Sequence, residues 1–273
     1  MTAYRLLALD LDGTLLRRDG RVDDRDAAAI RELAAAGVTV TICTGRLRSG
    51  SLGAARQCDI AGLIACVEGS HLVDVSGART VLHHAIRDDA AHLLRAAFDE
   101  HGLATFVFGA DGIHHDRAGD PFAGYVSTWS TELRVVDHAL HADTWAGSPL
   151  ATVAIGDPAP IAAAAAALRA RADLFSVSFE VSACPGKHAI LARAAGVSKG
   201  TALAALCAEA GCTVAEAVAV GDWVNDIPMF EVAGRAFAMG SAPPHVRAKA
   251  TDVLDAVGGG SGGIAEAISR AWG

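Results

Sequence analysis

Hydrophobic and polar positions divide the chain into short apolar runs that stop abruptly on reactive residue types. Leu6-Leu7-Ala8-Leu9 has no polar break and is followed at once by Asp10-Leu11-Asp12-Gly13-Thr14. A run apolar at successive positions reads as a strand buried on both faces, as in a parallel α/β sheet. In such sheets ligands bind beyond the carboxyl ends of the strands. The pattern then alternates. A helix capped by Asp23 or Asp24 is expected to about Ala36 and to stop at Gly37. Val38–Cys43 reads as a β-branched strand ending on Thr44-Gly45-Arg46, with a helix to about Gln57. Leu63–Val67 is a third strand ending at Glu68-Gly69-Ser70, and 71–83 reads as a hairpin turning at Ser76-Gly77.

From about His84 the character changes. A helix over 86–101 and strands over 104–108 and 112–115 are expected, while 125–145 follows no single period. A strand over 150–155, an alanine-loaded helix over 161–172 and an alternating strand over 174–181 complete this stretch. It holds nine of the fourteen aromatic residues and seven of the eleven histidines, which marks it as a separate α+β module. The α/β alternation resumes with Ser198 capping a helix to about Ala210. A strand over 217–220 then ends on Gly221-Asp222-Trp223-Val224-Asn225-Asp226. A helix to Ala233, a strand over 235–239 and helices near 244–250 and from Ser261 follow. Gly258–Gly263 reads as a loop.

At 273 residues the chain is long enough for a core and a second, smaller domain. A net charge of −8 argues against a nucleic-acid partner, whose phosphates need a basic surface. No run approaches a membrane span. The early apolar stretch carries Asp10 and Asp12, which a signal peptide would not tolerate, so a cytoplasmic location is expected. The six cysteines form no C-x-x-C pair and read as reduced, mostly buried thiols. Cys43, beside Thr44, reads as a small core residue.

The outer strands terminate in Asp10, Thr44, Glu68 and Asp222, and a parallel sheet would bring most of these to one rim. Asp and Gly also form turns, but their joint placement with Lys199 points to chemistry. Asp10, Asp222 and Asp226 can gather a hard cation such as Mg²⁺, which prefers oxygen ligands. A carboxylate can act as nucleophile and form an acyl-phosphate. Phosphoryl transfer also needs a cation, a hydroxyl and backbone N–H groups around the equatorial oxygens. Lys199, Thr44 and the Gly45 amide are of these types. Lys199 is one of only three lysines against twenty arginines, and it opens a helix.

Four segments in order carry a family resemblance: Asp10-Leu-Asp-Gly-Thr14, Thr44-Gly-Arg46, Val197-Ser-Lys-Gly200 and Gly221-Asp-x-x-Asn-Asp226, with Ala238-Met-Gly240 beyond. The chain resembles the haloacid dehalogenase superfamily, and within it the Cof-type (subfamily IIB) phosphatases. The resemblance implies a Rossmann-like parallel-sheet core over 1–83 and 186–273, with an inserted α+β cap over 84–185. It implies a Mg²⁺-dependent phosphatase acting on small phosphorylated metabolites, such as sugar phosphates, through an aspartyl-phosphate. Asp10 would attack phosphorus and ligate the metal. Asp12 would serve as acid and base and offer its backbone carbonyl to the metal. Thr44 would hold a phosphate oxygen, with Gly45 and Arg46 also at the substrate. Lys199 would neutralise Asp10 and the transferring group, and Asn225 would help position Lys199 or substrate. Asp222 would bind the metal, with Asp226 as a further ligand or an orienter of its waters. Asp12 resembles the phosphatase and mutase branch, since an acid beside a leaving alkoxide suits monoester hydrolysis.

Other readings remain open at this point: a sugar phosphomutase, a phosphatase dedicated to one glycosyl phosphate, or a sensor that binds without turnover. Some residues depart from the pattern. Glu68-Gly69-Ser70 stands where Cof-like members usually show Asn-Gly-Ala, and a carboxylate near phosphate repels it unless a metal or arginine intervenes. The segment 184–193 matches the usual approach to the lysine motif poorly. Trp223, where a small residue is more usual, is expected to pack rather than to narrow the mouth of the site. His114-His115-Asp116 is expected to form a solvated turn rather than a metal site, because adjacent strand residues point to opposite faces.

Overall fold

The computed structural model describes residues 4–273. The chain divides into two compact units, one formed by residues up to Leu82 together with Val197–Gly273, the other by His83–Gly196.

In chain order the first unit opens with β1 (Leu6–Leu9), α1 (Asp24–Ala35), β2 (Thr39–Ile42), α2 (Arg48–Gln57), β3 (Leu63–Cys66), β4 (His71–Asp74) and β5 (Thr80–His83). All four residues of β1 are buried, as an unbroken apolar run requires when strands flank it on both sides. Asp23 caps α1, its side chain accepting from the Arg25 N–H at 3.0 Å.

The second unit follows: α3 (Asp88–Glu100), β6 (Ala104–Phe108), β7 (Ile113–His115), α4 (Ala123–Val126), β8 (Leu133–Val135), α5 (Ala142–Trp145), β9 (Ala151–Gly156), α6 (Pro158–Leu168), β10 (Leu174–Glu180) and β11 (His188–Ala194). Its six strands lie in the order β10-β11-β9-β6-β7-β8. All neighbours are antiparallel except β7 and β8. Phe98, Leu94, Ile161, Leu168 and Trp145 lie in its apolar core. The stretch 125–145, which shows no single period, holds the second half of α4, the short β8 and α5. The segment 186–196, expected to begin the return of the first unit, instead supplies β11 to this sheet. Alternation in β11 is masked because it pairs on both sides and is mostly buried. His114 and His115 lie in β7, not in a solvated turn. His115 is buried and its Nδ1 lies 2.9 Å from the Asp116 carbonyl.

The chain then returns to the first unit with α7 (Lys199–Glu209), β12 (Ala217–Gly221), α8 (Ile227–Val232), β13 (Arg235–Ala238), α9 (Pro244–Arg247), β14 (Asp252–Val253) and α10 (Gly263–Trp272). A five-stranded sheet runs β14-β13-β12-β1-β2, parallel throughout. Leu6 of β1 lies opposite Ala217 and Thr39, which brings the ends of β1, β2 and β12 level. The third strand differs from the expectation of one parallel sheet. β3 heads an antiparallel sheet with β4 and β5 and joins the main sheet by an isolated parallel bridge, Cys43 to Ala65, and by the Thr41 hydroxyl donating to the Leu63 carbonyl. That bridge still carries the end of β3 to the rim. Among the described residues no helix is long and apolar enough to cross a membrane.

Candidate active site

β1 lies between β12 and β2, so the carboxylate that follows its last residue stands on the rim with a strand on either side. The Asp10 N–H donates to the Val220 carbonyl at 3.0 Å, continuing the β1–β12 ladder by one residue. The chain then turns at Gly13, where φ is +84°, a left-handed backbone that glycine adopts without a Cβ penalty. A Cβ there would lie 2.3 Å from Asp222 Oδ2, so glycine is also what lets Asp222 approach. Thr14 donates from Oγ1 to Asp222 Oδ1 at 3.0 Å.

Lys199 enters from the start of α7, where Ser198 and Thr201 cap each other's backbone N–H groups. Its side chain is 0% exposed, and Nζ donates to Asp10 Oδ1 at 2.6 Å and to Asp226 Oδ1 at 2.7 Å. Asp226 is fully buried too, and its Oδ2 accepts from the N–H groups of Asp222 at 2.8 Å and Trp223 at 2.9 Å. One side chain thus closes the 222–226 loop and fixes the lysine.

Burial alone would depress the Lys199 ammonium, but Asp10, Asp226 and Glu68 outweigh it and hold the group well above the ordinary lysine range. Burial raises the Asp10 carboxyl against the pull of Lys199, with Asp226 and Asp222 adding to the rise. Asp222 is pushed up to about 6, chiefly by burial and then by Asp226. Three carboxylates thus crowd around one ammonium.

Ligand oxygens of Asp10, Asp222 and Asp226 lie within 4.8 Å of one another. An all-oxygen set, partly buried and carrying more negative charge than Lys199 neutralises, fits a hard divalent cation. The crowding that raises Asp10 and Asp222 is itself relieved by such an ion.

Thr44 is buried at the end of β2, with its N–H donating to the Ala65 carbonyl at 2.9 Å and its Oγ1 accepting from the Arg46 N–H at 3.2 Å. Arg46 does not stand free for an anion: Nε donates to Asp12 Oδ2 at 2.8 Å, and Nη2 engages Asp12 Oδ1. The Asp12 side chain is 59% exposed and lies outside the cluster of three carboxylates. Asn225 reaches Glu68, its Nδ2 donating to Oε1 at 2.8 Å. The Asn225 Oδ1 is buried with no hydrogen-bond partner.

Asp10, Thr44, Lys199, Asn225, Asp222 and Asp226, scattered over more than 200 residues of sequence, are therefore brought to one rim. Two details differ from expectation. Trp223 does not pack inward but is 55% exposed, because both neighbouring loop N–H groups are held by Asp226 and the indole projects from the turn. Arg46 pairs with Asp12. Glu68, expected at the rim from its strand-end position but out of keeping with the family pattern there, stands in the site and is held by Asn225. Cys43 is buried and its thiol is pushed up to about 12 by burial first, which fits a core residue.

A family model described as haloacid dehalogenase-like hydrolase matches residues 7–268. The chain is similar to the HMP-PP phosphatase of Yersinia pseudotuberculosis serotype O:1b (strain IP 31758), 28% identical over 246 residues that cover 89% of this chain and 86% of the relative. In fold it resembles a haloacid dehalogenase-like hydrolase from Bacteroides thetaiotaomicron, with a TM-score of 0.85, 21% identity, and 98% and 99% of the two chains covered. It also resembles a HAD subclass IIB sugar phosphatase, with a TM-score of 0.78, 18% identity, and 97% and 98% covered.

Proposed function

The chain belongs to the haloacid dehalogenase-like hydrolase family, and from that premise we propose that it is a Mg²⁺-dependent phosphatase of small phosphate monoesters. The observation that carries this reading is Lys199, fully buried between Asp10 at 2.6 Å and Asp226 at 2.7 Å beside a third carboxylate. Such a concentration of buried charge is costly unless it serves chemistry or a ligand.

Asp10, Asp222 and Asp226 would hold Mg²⁺, with the Asp12 carbonyl as a further ligand. The ion, when bound, supplies charge neutralisation for the phosphoryl group. An Asp10 oxygen attacks phosphorus, the P–O bond to the leaving group breaks, and the Asp12 carboxyl gives its proton to the departing oxygen. The Asp12 carboxylate then takes a proton from water, whose oxygen attacks phosphorus. Phosphate leaves and Asp10 is regenerated. Lys199, Thr44 and the Gly45 N–H counter the charge on the equatorial oxygens. Arg46 orients Asp12 through both of its carboxylate oxygens. Asn225 braces the loop that carries Asp222. Residues 84–185 remain proposed as a cap, with the boundary moved to the unit 83–196.

The substrate class rests on likeness. Relatives named for HMP-PP favour a diphosphate as a second reading beside sugar phosphates. Phosphate release from a panel of monoesters, with and without Mg²⁺, tests the proposal on the wild type and Asp10→Asn. Release that needs Mg²⁺ and disappears in Asp10→Asn is expected; release that persists in the variant overturns the nucleophile assignment.

A further inference from the structure

Val67, Glu68 and Gly69 carry three consecutive positive φ values, 49°, 56° and 97°. Two of the three are not glycine, and one is β-branched, which makes this the most strained backbone described in the chain. Strain of this kind persists only where the surroundings enforce it, and it clusters at ligand sites. Here the enforcement is visible. The Val67 N–H donates to the Arg46 carbonyl and the Glu68 N–H to the Thr44 carbonyl, both at 3.0 Å. The turn is therefore laced to the Thr44-Gly45-Arg46 loop on both sides of Gly45.

The side chain that this turn delivers is a carboxylate. A Cβ on Gly45 would lie 2.6 Å from Glu68 Oε1, so the carboxylate rests against the Gly45 backbone at the loop assigned to phosphate. Its hydrogen bond comes from a neutral amide, Asn225 Nδ2, at 2.8 Å. Among the described residues Glu68 forms no ion pair. The nearby guanidinium, Arg46, is taken by Asp12. A neutral acceptor would brace Asn225 equally well, so what the charge adds is its field, which helps to hold the Lys199 ammonium and makes this loop more negative.

We propose that Glu68 is a specificity-determining residue, a fixed negative charge that admits phosphate monoesters with an uncharged or cationic leaving group and disfavours leaving groups carrying a second phosphate or a carboxylate. This rests on the phosphatase reading of the same site. The transferring phosphoryl group is countered by Lys199 and the cation, whereas a second anion on the leaving group meets Glu68 with no guanidinium to offset it. The selected class is therefore phosphorylated polyols, sugars and amino alcohols rather than bisphosphates, and the filter weighs against the diphosphate given above as a second reading.

The matched pair fructose 6-phosphate and fructose 1,6-bisphosphate tests this, with p-nitrophenyl phosphate as a general monoester. The wild type should prefer the monophosphate at least tenfold in kcat/KM. In Glu68→Gln, which keeps an acceptor for Asn225, and in Glu68→Asn, which tolerates a left-handed backbone, the preference should fall to within about threefold, mainly through a lower KM for the bisphosphate. An unchanged ratio in either folded variant, or a wild type that accepts both sugars equally, overturns the filter. Failure to release p-nitrophenol with Mg²⁺ counts against the phosphatase reading instead. Calorimetric binding of the same pair to Asp10→Asn reads the filter without turnover: the monophosphate should bind at least tenfold tighter, and equal affinities overturn the proposal.

Discussion

Lys199→Met removes the ammonium while roughly preserving side-chain volume, and its consequences follow from two distances. At 2.6 and 2.7 Å from carboxylate oxygens, each contact is worth about 6 kcal/mol in an environment of effective dielectric near 20. Dehydrating the ion and its partners offsets much of that, and breaking a buried pair by removing one member typically costs about 3–5 kcal/mol. The variant should lose that amount at pH 7.5 without metal, read by urea unfolding of the protein. Its pH dependence then follows from the raised carboxyl groups. Burial already lifts Asp10, and Asp222 reaches about 6. Without the lysine the folded state binds a proton that the unfolded state, with ordinary Asp groups, does not. Stability therefore falls as pH rises above the unfolded range, and one extra proton held between pH 5 and 7.5 amounts to at most about 3 kcal/mol. The variant should recover most of its loss at pH 5, and Mg²⁺ at pH 7.5 should recover part of it as well. Turnover should fall by about 10²–10³. A loss under about 1 kcal/mol with a pH dependence parallel to the wild type would refute the reading that one ammonium balances three carboxylates.

Two further outcomes follow from the same electrostatics. In the wild type, Mg²⁺ should raise the urea midpoint more at pH 7.5 than at pH 5, because Asp10 and Asp222 are raised and must be ionised to bind it; equal shifts at both pH values would count against these ligands. Asp26, fully buried in α1, accepts the Ala265 N–H at 2.8 Å at the start of α10 and is raised chiefly by burial. Its carboxyl favours the protonated form in the folded state, so its contribution is most favourable at low pH and declines as pH rises from the ordinary Asp range through the raised value. Asp26→Asn keeps the acceptor and Asp26→Ala does not, but both lose the titrating carboxyl and should flatten that decline, with Asp26→Ala about 1–2 kcal/mol less stable than Asp26→Asn at every pH; chemical denaturation across pH 4–8 checks both outcomes.

The elements that place Asp10 and Lys199 were legible because each rests on local chemistry. The β1 run has nowhere to sit but between two strands, and Ser198 signals the helix that carries Lys199. Asp23 capping α1 is of the same kind. The residues that escaped depend on pairing that sequence spacing does not encode. β11 carries no clear alternation because its neighbours cover both edges and its residues are mostly buried, so 186–196 looked like the return of the first unit. β3 ends at the right rim, but its ladder runs to β4 rather than along β2.

The polar contacts show the same division more sharply. Asp10, Asp222 and Asp226 were identifiable as residue types at strand ends, yet their order around Lys199 is a property of the folded loops. The Asp226 carboxylate faces Lys199 with one oxygen and two loop N–H groups with the other. That arrangement uses both oxygens of the side chain, and it turns the Trp223 indole outward where packing had been expected. Arg46 and Glu68 illustrate the converse. In sequence the arginine looked available to an anion and the glutamate looked misplaced beside one. In the structure Arg46 is engaged by Asp12 through both carboxylate oxygens, while Glu68 stands against Gly45 and forms no ion pair among the described residues. The local field at this loop is therefore more negative than its Thr-Gly-Arg sequence implies. The proposed catalytic residues thus meet, in Glu68, a proposed selectivity element, and the strained turn at Val67–Gly69 is the physical mark that sets it apart.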